Sequence, residues 1–224
     1  MAAMGIHLDA YVAVRERMSA IALDLDPDQL AATVPSCPDW TVHDLIAHNV
    51  AIPAAISAGD LPQGDQQAWL DGLVAARRAQ PVTEMVAEWA TLDAVVGSVL
   101  DATTMLLDDV ASHEHDLRAA VDRPDHRALE ADLLLPAALE LLADGAAERG
   151  LGAIAVEAPE GSWRSHDAEP GWTLRCSAWE AFRAVGSRRT ADELRALPCS
   201  GDAEPYVVVV DAHLPLPATS LREP

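Results

Sequence analysis

The 224-residue sequence contains no lysine; all fifteen of its basic residues are arginine. Schiff-base chemistry and a phosphate-loop lysine are therefore both excluded. Positive charge is scarce in general, with 36 acidic residues leaving a formal net charge of -21. Such a surface repels a phosphate backbone, which argues against nucleic-acid binding, and it disfavours anionic membranes for the same reason. Cysteines number three, at positions 37, 176 and 199, and an odd, widely spaced set fits a reduced compartment. No apolar run approaches the roughly 18 residues that a membrane span needs. The first residues carry no basic leader followed by an apolar stretch, so no signal peptide is expected and the expected location is cytoplasmic.

What is present fits a globular protein: half of the residues are hydrophobic, over a length suited to one large or two small domains. Apolar residues recur three and four apart over 8–25, 42–58, about 66–79, 83–100, 103–121 and 128–149, which predicts helices. Four of these are long enough for a bundle. After residue 150 the texture changes. Alternating, β-branched runs near 152–158 and 171–176 flank turns rich in Gly and Pro, and a short helix starts near Ser177. The late run "YVVVVDAHLPL" reads equally as strand or buried helix. Charge shifts at the same point, from a net of -17 over residues 1–150 to -4 over 151–224. The expectation is an α+β chain: a helical bundle over 1–150, then a small α+β domain over 151–224.

Two stretches carry chemistry. In "CPDWTVHDLIAHNV", Thr41 and Asp44 form a capping-box pattern ahead of the apolar positions Val42, Leu45, Ile46 and Val50. His48 lies within a turn of these apolar residues. In "LLDDVASHEHDLRAAVD", Asp109 and His113 are four apart and share one helix face. With His48 reaching across from its own helix, two imidazoles and a carboxylate make a three-ligand metal site with an open position. Catalytic zinc and non-haem iron both use this ligand set. The other reading is that each Asp simply orients a hydrogen-bonded histidine. Asp44 and His48 share the same spacing, which suits either a supporting role for Asp44 or a two-metal site. His115, His43 and His126 read as surface residues. Cys37, ahead of Pro38 and with no base beside it, reads as a small residue packed under Trp40. Trp40 reads as packing between helices, with a wall of the site as the alternative.

"VPSCPDWTVHDLIAHNV" resembles the signature of the mycothiol-dependent maleylpyruvate isomerase family, within the DinB-like metal-binding superfamily. "DDVASHEHDLRAAVDRP" is similar to that family's second segment, in which a glutamate usually stands where Asp109 does. "CSAWEAFRAVGSRRTADELRAL" is similar to the arginine-rich helix-turn of its C-terminal domain. The resemblance implies a DinB-like four-helix bundle with a divalent metal, zinc first, held by His48, Asp109 and His113. Asp109 shortens that ligand arm by one methylene.

The family's activity isomerises a cis double bond to trans with mycothiol. A metal-activated thiolate adds to a small unsaturated carboxylate, the new single bond rotates, and elimination follows. The resemblance thus implies an isomerase or S-transferase whose partners are a small-molecule thiol and a carboxylate substrate. A carboxylate needs a cationic anchor, and the pair Arg188 and Arg189 in "GSRRT" supplies the candidates, facing the open metal position. A metal-dependent hydrolase and a non-catalytic DinB-like binding or regulatory module are the alternatives. Neither the oligomeric state nor the substrate's identity is legible.

Overall fold

A computed structural model describes residues 2–125 and 130–221. The chain divides into two units, Met1–Asp125 and His126–Pro224. In the first unit α1 (Ala2–Leu23) and the short α2 (Pro27–Leu30) lead to a hairpin of β1 (Thr33–Val34) and β2 (Cys37–Thr41). Then come α3 (Val42–Ala58), α4 (Gln66–Ala75), α5 (Val82–Trp89), α6 (Asp93–Leu100) and α7 (Met105–Ala120). The second unit holds α8 (Ala131–Glu148), β3 (Ala153–Ala158), β4 (Gly161–Arg164) and β5 (Pro170–Leu174). It continues with α9 (Ala178–Val185), α10 (Ala191–Ala196), β6 (Cys199–Gly201) and α11 (Glu204–His213). The architecture is α+β: a helical bundle, then a sheet-containing unit.

In the bundle α1 buries Tyr11, Val14, Met18 and Ile21, spaced three and four apart, and packs on α6 and α7. Each large apolar side chain buried this way contributes roughly 1.5–3 kcal/mol relative to exposure. The expected helix over 83–100 is two helices. Its backbone turns at residues 90–92, where the Thr91 hydroxyl donates to the Glu88 carbonyl at 2.7 Å. A side chain bonding its own helix in this way competes with continuation of the ladder. The pair α5–α6 fills the fourth place of the bundle beside α1, α3 and α7.

Helix α3 spans 42–58, as its spacing predicts, and begins at the expected capping box. The Thr41 hydroxyl accepts from the Asp44 amide at 3.1 Å, and the Asp44 carboxylate accepts from the Thr41 amide at 3.2 Å. It ends at Gly59, whose φ of 72° suits a residue without a Cβ. The strand β2 just ahead of the cap was not read from the sequence. Two residues of partner strand and a proline leave too little alternation to see.

The second unit is a four-stranded sheet of order β4-β3-β5-β6. Strands β3 and β5 run parallel and the outer pairs antiparallel. Helix α8 packs on α9, α11 and this sheet, burying Leu134, Leu135, Leu139 and Leu142 there. The expected boundary at 150 is therefore corrected to 125. Helical periodicity shows which face of α8 is apolar, but not which core receives it. The ambiguous "YVVVV" run is helix α11, with Tyr206, Val207, Val209 and Val210 buried at helical spacing. Ser177 caps α9, where the sequence placed a helix start. No helix among the described residues is long and apolar enough to cross a membrane.

Candidate metal centre

Helices α3 and α7 pack together and bring His48, Asp109 and His113 to one point. Their ligand atoms all lie within 4.8 Å of one another. Asp109 offers one oxygen to each ring: Oδ2 is 3.4 Å from His48 Nε2, and Oδ1 is 3.4 Å from His113 Nε2. Bonds of ~2.0–2.2 Å to a tetrahedral ion would set neighbouring ligand atoms roughly 3.3–3.5 Å apart. The aspartate arm, shorter than the family's glutamate, thus still reaches both rings.

The ring of His48 decides between a metal ligand and an ordinary core histidine. It is 4% exposed, and neither of its nitrogens makes a hydrogen bond among the described residues. An unsatisfied buried polar group costs about 1–3 kcal/mol, so a packing role would leave this ring a net liability. A divalent ion fits the donor set and would satisfy Nε2.

His113 differs. Its Nδ1 lies 3.0 Å from Oδ2 of Asp116, one turn along α7 and 1% exposed. A carboxylate on Nδ1 fixes the ring and leaves Nε2 available to a metal, as outer partners of metal-bound histidines do. Burial alone would lower the His113 pKa, but Asp109 and Asp116 outweigh it and push it up to about 9. Burial works against the Asp109 charge as well, yet the two imidazoles hold its carboxyl far below the usual carboxylate range. Asp116 is the residue whose role sequence reading missed, and the signal was its i, i+3 spacing from His113.

Trp40 walls the site. Its ring centroid is 4.7 Å from that of His48 and 6.0 Å from that of His113, so the wall reading holds over packing between helices. Cys37, on the same strand, is half-buried and forms a close group with His113 and Asp116, their ligand atoms within 4.8 Å of one another. It therefore has a base beside it, supplied across the fold and invisible along the chain.

Asp44 is not a ligand in either candidate metal group. Burial would raise its carboxyl, but the Thr41 amide, the Arg78 guanidinium and the Thr41 hydroxyl together hold it below its ordinary value. His115, expected at the surface, is 5% exposed. Val110 to Leu117 are buried without interruption, so α7 has no surface face at that level. His43 is half-buried, with Nε2 3.0 Å from the Gln80 carbonyl. His126 lies outside the described residues. One turn of polar support was also unforeseen. Glu114, 1% exposed, accepts a two-pronged pair from Arg17 at 2.8 and 2.7 Å and further bonds from Arg118.

Arg188 and Arg189 belong to the second unit. Arg189 is 8% exposed and donates from Nε and Nη2 to the two oxygens of Glu180, each at 2.8 Å. Its guanidinium also lies 5.2 Å from the Trp179 ring centre. Arg188 donates to the Gly186 carbonyl at 2.8 Å. Ser187 just before them takes φ of 60°, which sets the tight turn.

No curated protein and no solved structure matches the chain. Residues 11–128 match the mycothiol maleylpyruvate isomerase N-terminal domain, a segment that contains His48, Asp109 and His113. That match covers more than half of the sequence, and the chain belongs to the mycothiol maleylpyruvate isomerase N-terminal domain family.

Proposed function

We propose that this protein is a metal-dependent thiol enzyme, an isomerase or S-transferase that uses mycothiol on a small unsaturated carboxylate. The observation that carries the reading is the buried His48 ring, whose nitrogens make no hydrogen bond among the described residues and stand beside Asp109 and His113. These three residues would hold a divalent ion, zinc first. The chemistry such an ion supplies is to keep a thiol as its thiolate at neutral pH.

The chain's own residues prepare the place. Asp116 holds the His113 ring so that Nε2 points to the shared centre. Asp109 sits between the imidazoles with one oxygen towards each, so its charge is shared between both ligands. Trp40 packs across His48 and His113 and keeps water from that side of the rings. Arg188 and Arg189 are the proposed anchors for the carboxylate. Arg189 would have to give up its pair with Glu180 to serve the same purpose.

Elemental analysis of untagged protein, followed by calorimetry with mycothiol, tests the proposal. The expected result is about one divalent ion per chain, with thiol binding that disappears when the metal is stripped. Failure to take up metal on reconstitution, or thiol binding indifferent to metal, would overturn it.

A further inference from the structure

A second set of donors gathers on the other edge of the His113 ring. Nε2 faces Asp109, whereas Nδ1 lies 3.0 Å from Oδ2 of Asp116. Cys37 Sγ joins His113 and Asp116, the three ligand atoms all within 4.8 Å of one another. His113 and Asp116 are buried, and Cys37 is half-buried on β2, so the sulfur is the member that an incoming ion meets first. The Ser36 hydroxyl donates to that sulfur at 3.9 Å. Only His113 is common to this group and the triad, and among the described residues neither Cys176 nor Cys199 belongs to any such group.

The donor types define the ion. A thiolate is a soft ligand that selects thiophilic metals, and the triad has none. Thiolate and carboxylate together bring two negative charges, which balance a divalent ion where an unpaired buried charge would be costly. Bonds of ~2.3 Å to sulfur and ~2.0–2.2 Å to nitrogen and oxygen would set neighbouring donors roughly 3.4–3.6 Å apart. The bond between Asp116 and Nδ1 would open by about 0.4 Å to admit the ion.

We infer that Cys37, His113 Nδ1 and Asp116 form a second metal position, for a thiophilic divalent cation. The ion replaces the Sγ proton, which leaves to water. A neutral imidazole has one lone pair, so an ion on Nδ1 withdraws the ring from His48 and Asp109. The two positions alternate, and a thiophilic ion held at Cys37 disables the triad. That alternation rests on the metal reading above; the second position does not.

Cadmium added to the full metal-free chain is the probe, because thiolate bound to cadmium gives an ultraviolet charge-transfer band that imidazole and carboxylate do not. The parent is expected to take up about one ion per chain and to show the band. Cys37→Ser should lose it, and the paired change Cys176→Ser and Cys199→Ser should keep it. Asp116→Asn should weaken the cadmium affinity read from the band at least about tenfold, since even an outer partner of a ligand is worth that much. His48→Ala removes a triad ligand and should leave the band at full height, so failure of the triad reading does not touch this result. No band in the parent, a band that survives Cys37→Ser, an unchanged affinity in Asp116→Asn, or a band lost with His48→Ala would each overturn the second position. Uptake of about two ions by the parent would overturn the alternation.

Discussion

Asp116 bonds Nδ1 of His113 across one turn of α7, at 3.0 Å and out of reach of solvent. The ring therefore has one settled nitrogen and one that faces Asp109. Asp116→Ala is expected to lower metal affinity by about 10–100-fold, the usual loss when the outer partner of a ligating histidine goes. Asp116→Asn should recover part of it, because the amide oxygen can still accept from Nδ1. Competition with a coloured chelator gives the three affinities; equal values would dismiss the orienting role.

His48 invites the opposite kind of experiment. His48→Leu removes two buried nitrogens that make no hydrogen bond and fills a similar volume, but it also takes the 3.4 Å contact from Asp109, so the metal-free variant should be no less stable than the parent. Added zinc should then stabilise the parent and not the variant, since an ion held only by the folded state acts by mass action. Thermal melts with chelator and with zinc make the comparison. A variant less stable than the parent in chelator would mean the ring has a packing role of its own.

Arg188 and Arg189 are tested one at a time. Arg189→Met takes both bonds from Glu180, so its main effect should be a lower melting temperature. Arg188→Met should weaken a carboxylate substrate by roughly 1.5–3 kcal/mol, the range for hydrogen bonds to charged groups, while leaving the metal in place. Steady-state turnover beside calorimetric melts distinguishes them, and full turnover in Arg188→Met removes it as the anchor.

Asp44 gives a pH dependence with a definite sign. Its carboxyl is held below the ordinary value by the Thr41 amide and Arg78. A depressed carboxyl adds stability that is complete above the unfolded value of about 3.9 and drains away as pH falls through the folded one. Asp44→Asn should cost ~0.5–1.5 kcal/mol at pH 7, with the gap to the parent narrowing below about pH 4. Urea unfolding at pH 7, 5 and 3 measures it; a gap that widens towards acid would contradict the assignment.

Helix α3 and the triad were legible in the sequence because their signals are local. Thr41 and Asp44 lie three apart, and Asp109 and His113 lie four apart, and those offsets alone fix a cap and a shared face. His48 was read as the third member because a titratable ring stands among the apolar residues of α3, and the family resemblance then implied the same three residues. What stayed hidden depends on which surfaces meet. Nothing along the chain says that α8 turns its leucines to the second unit, or that Cys37 comes beside His113. His115 misled because a position 200° around a helix is solvent only when the helix has an outer face, and α7 has none there. Arg189 looked available because its partner, Glu180, lies a full helix away.

The pair between Arg17 and Glu114 joins residues 97 positions apart. During synthesis α1 leaves the ribosome long before the carboxylate it must meet, and until then its polar face has only water for company. Glu114 in turn has only Arg118 of its own helix for a partner until Arg17 docks against it. Docking of α1 against α7 is thus a late, non-local event whose loop-closure entropy must be overcome before the centre between α3 and α7 is sealed. A nascent chain halted before residue 109 would hold α3, its cap and Trp40 without either of the partners on α7 that make His48 useful.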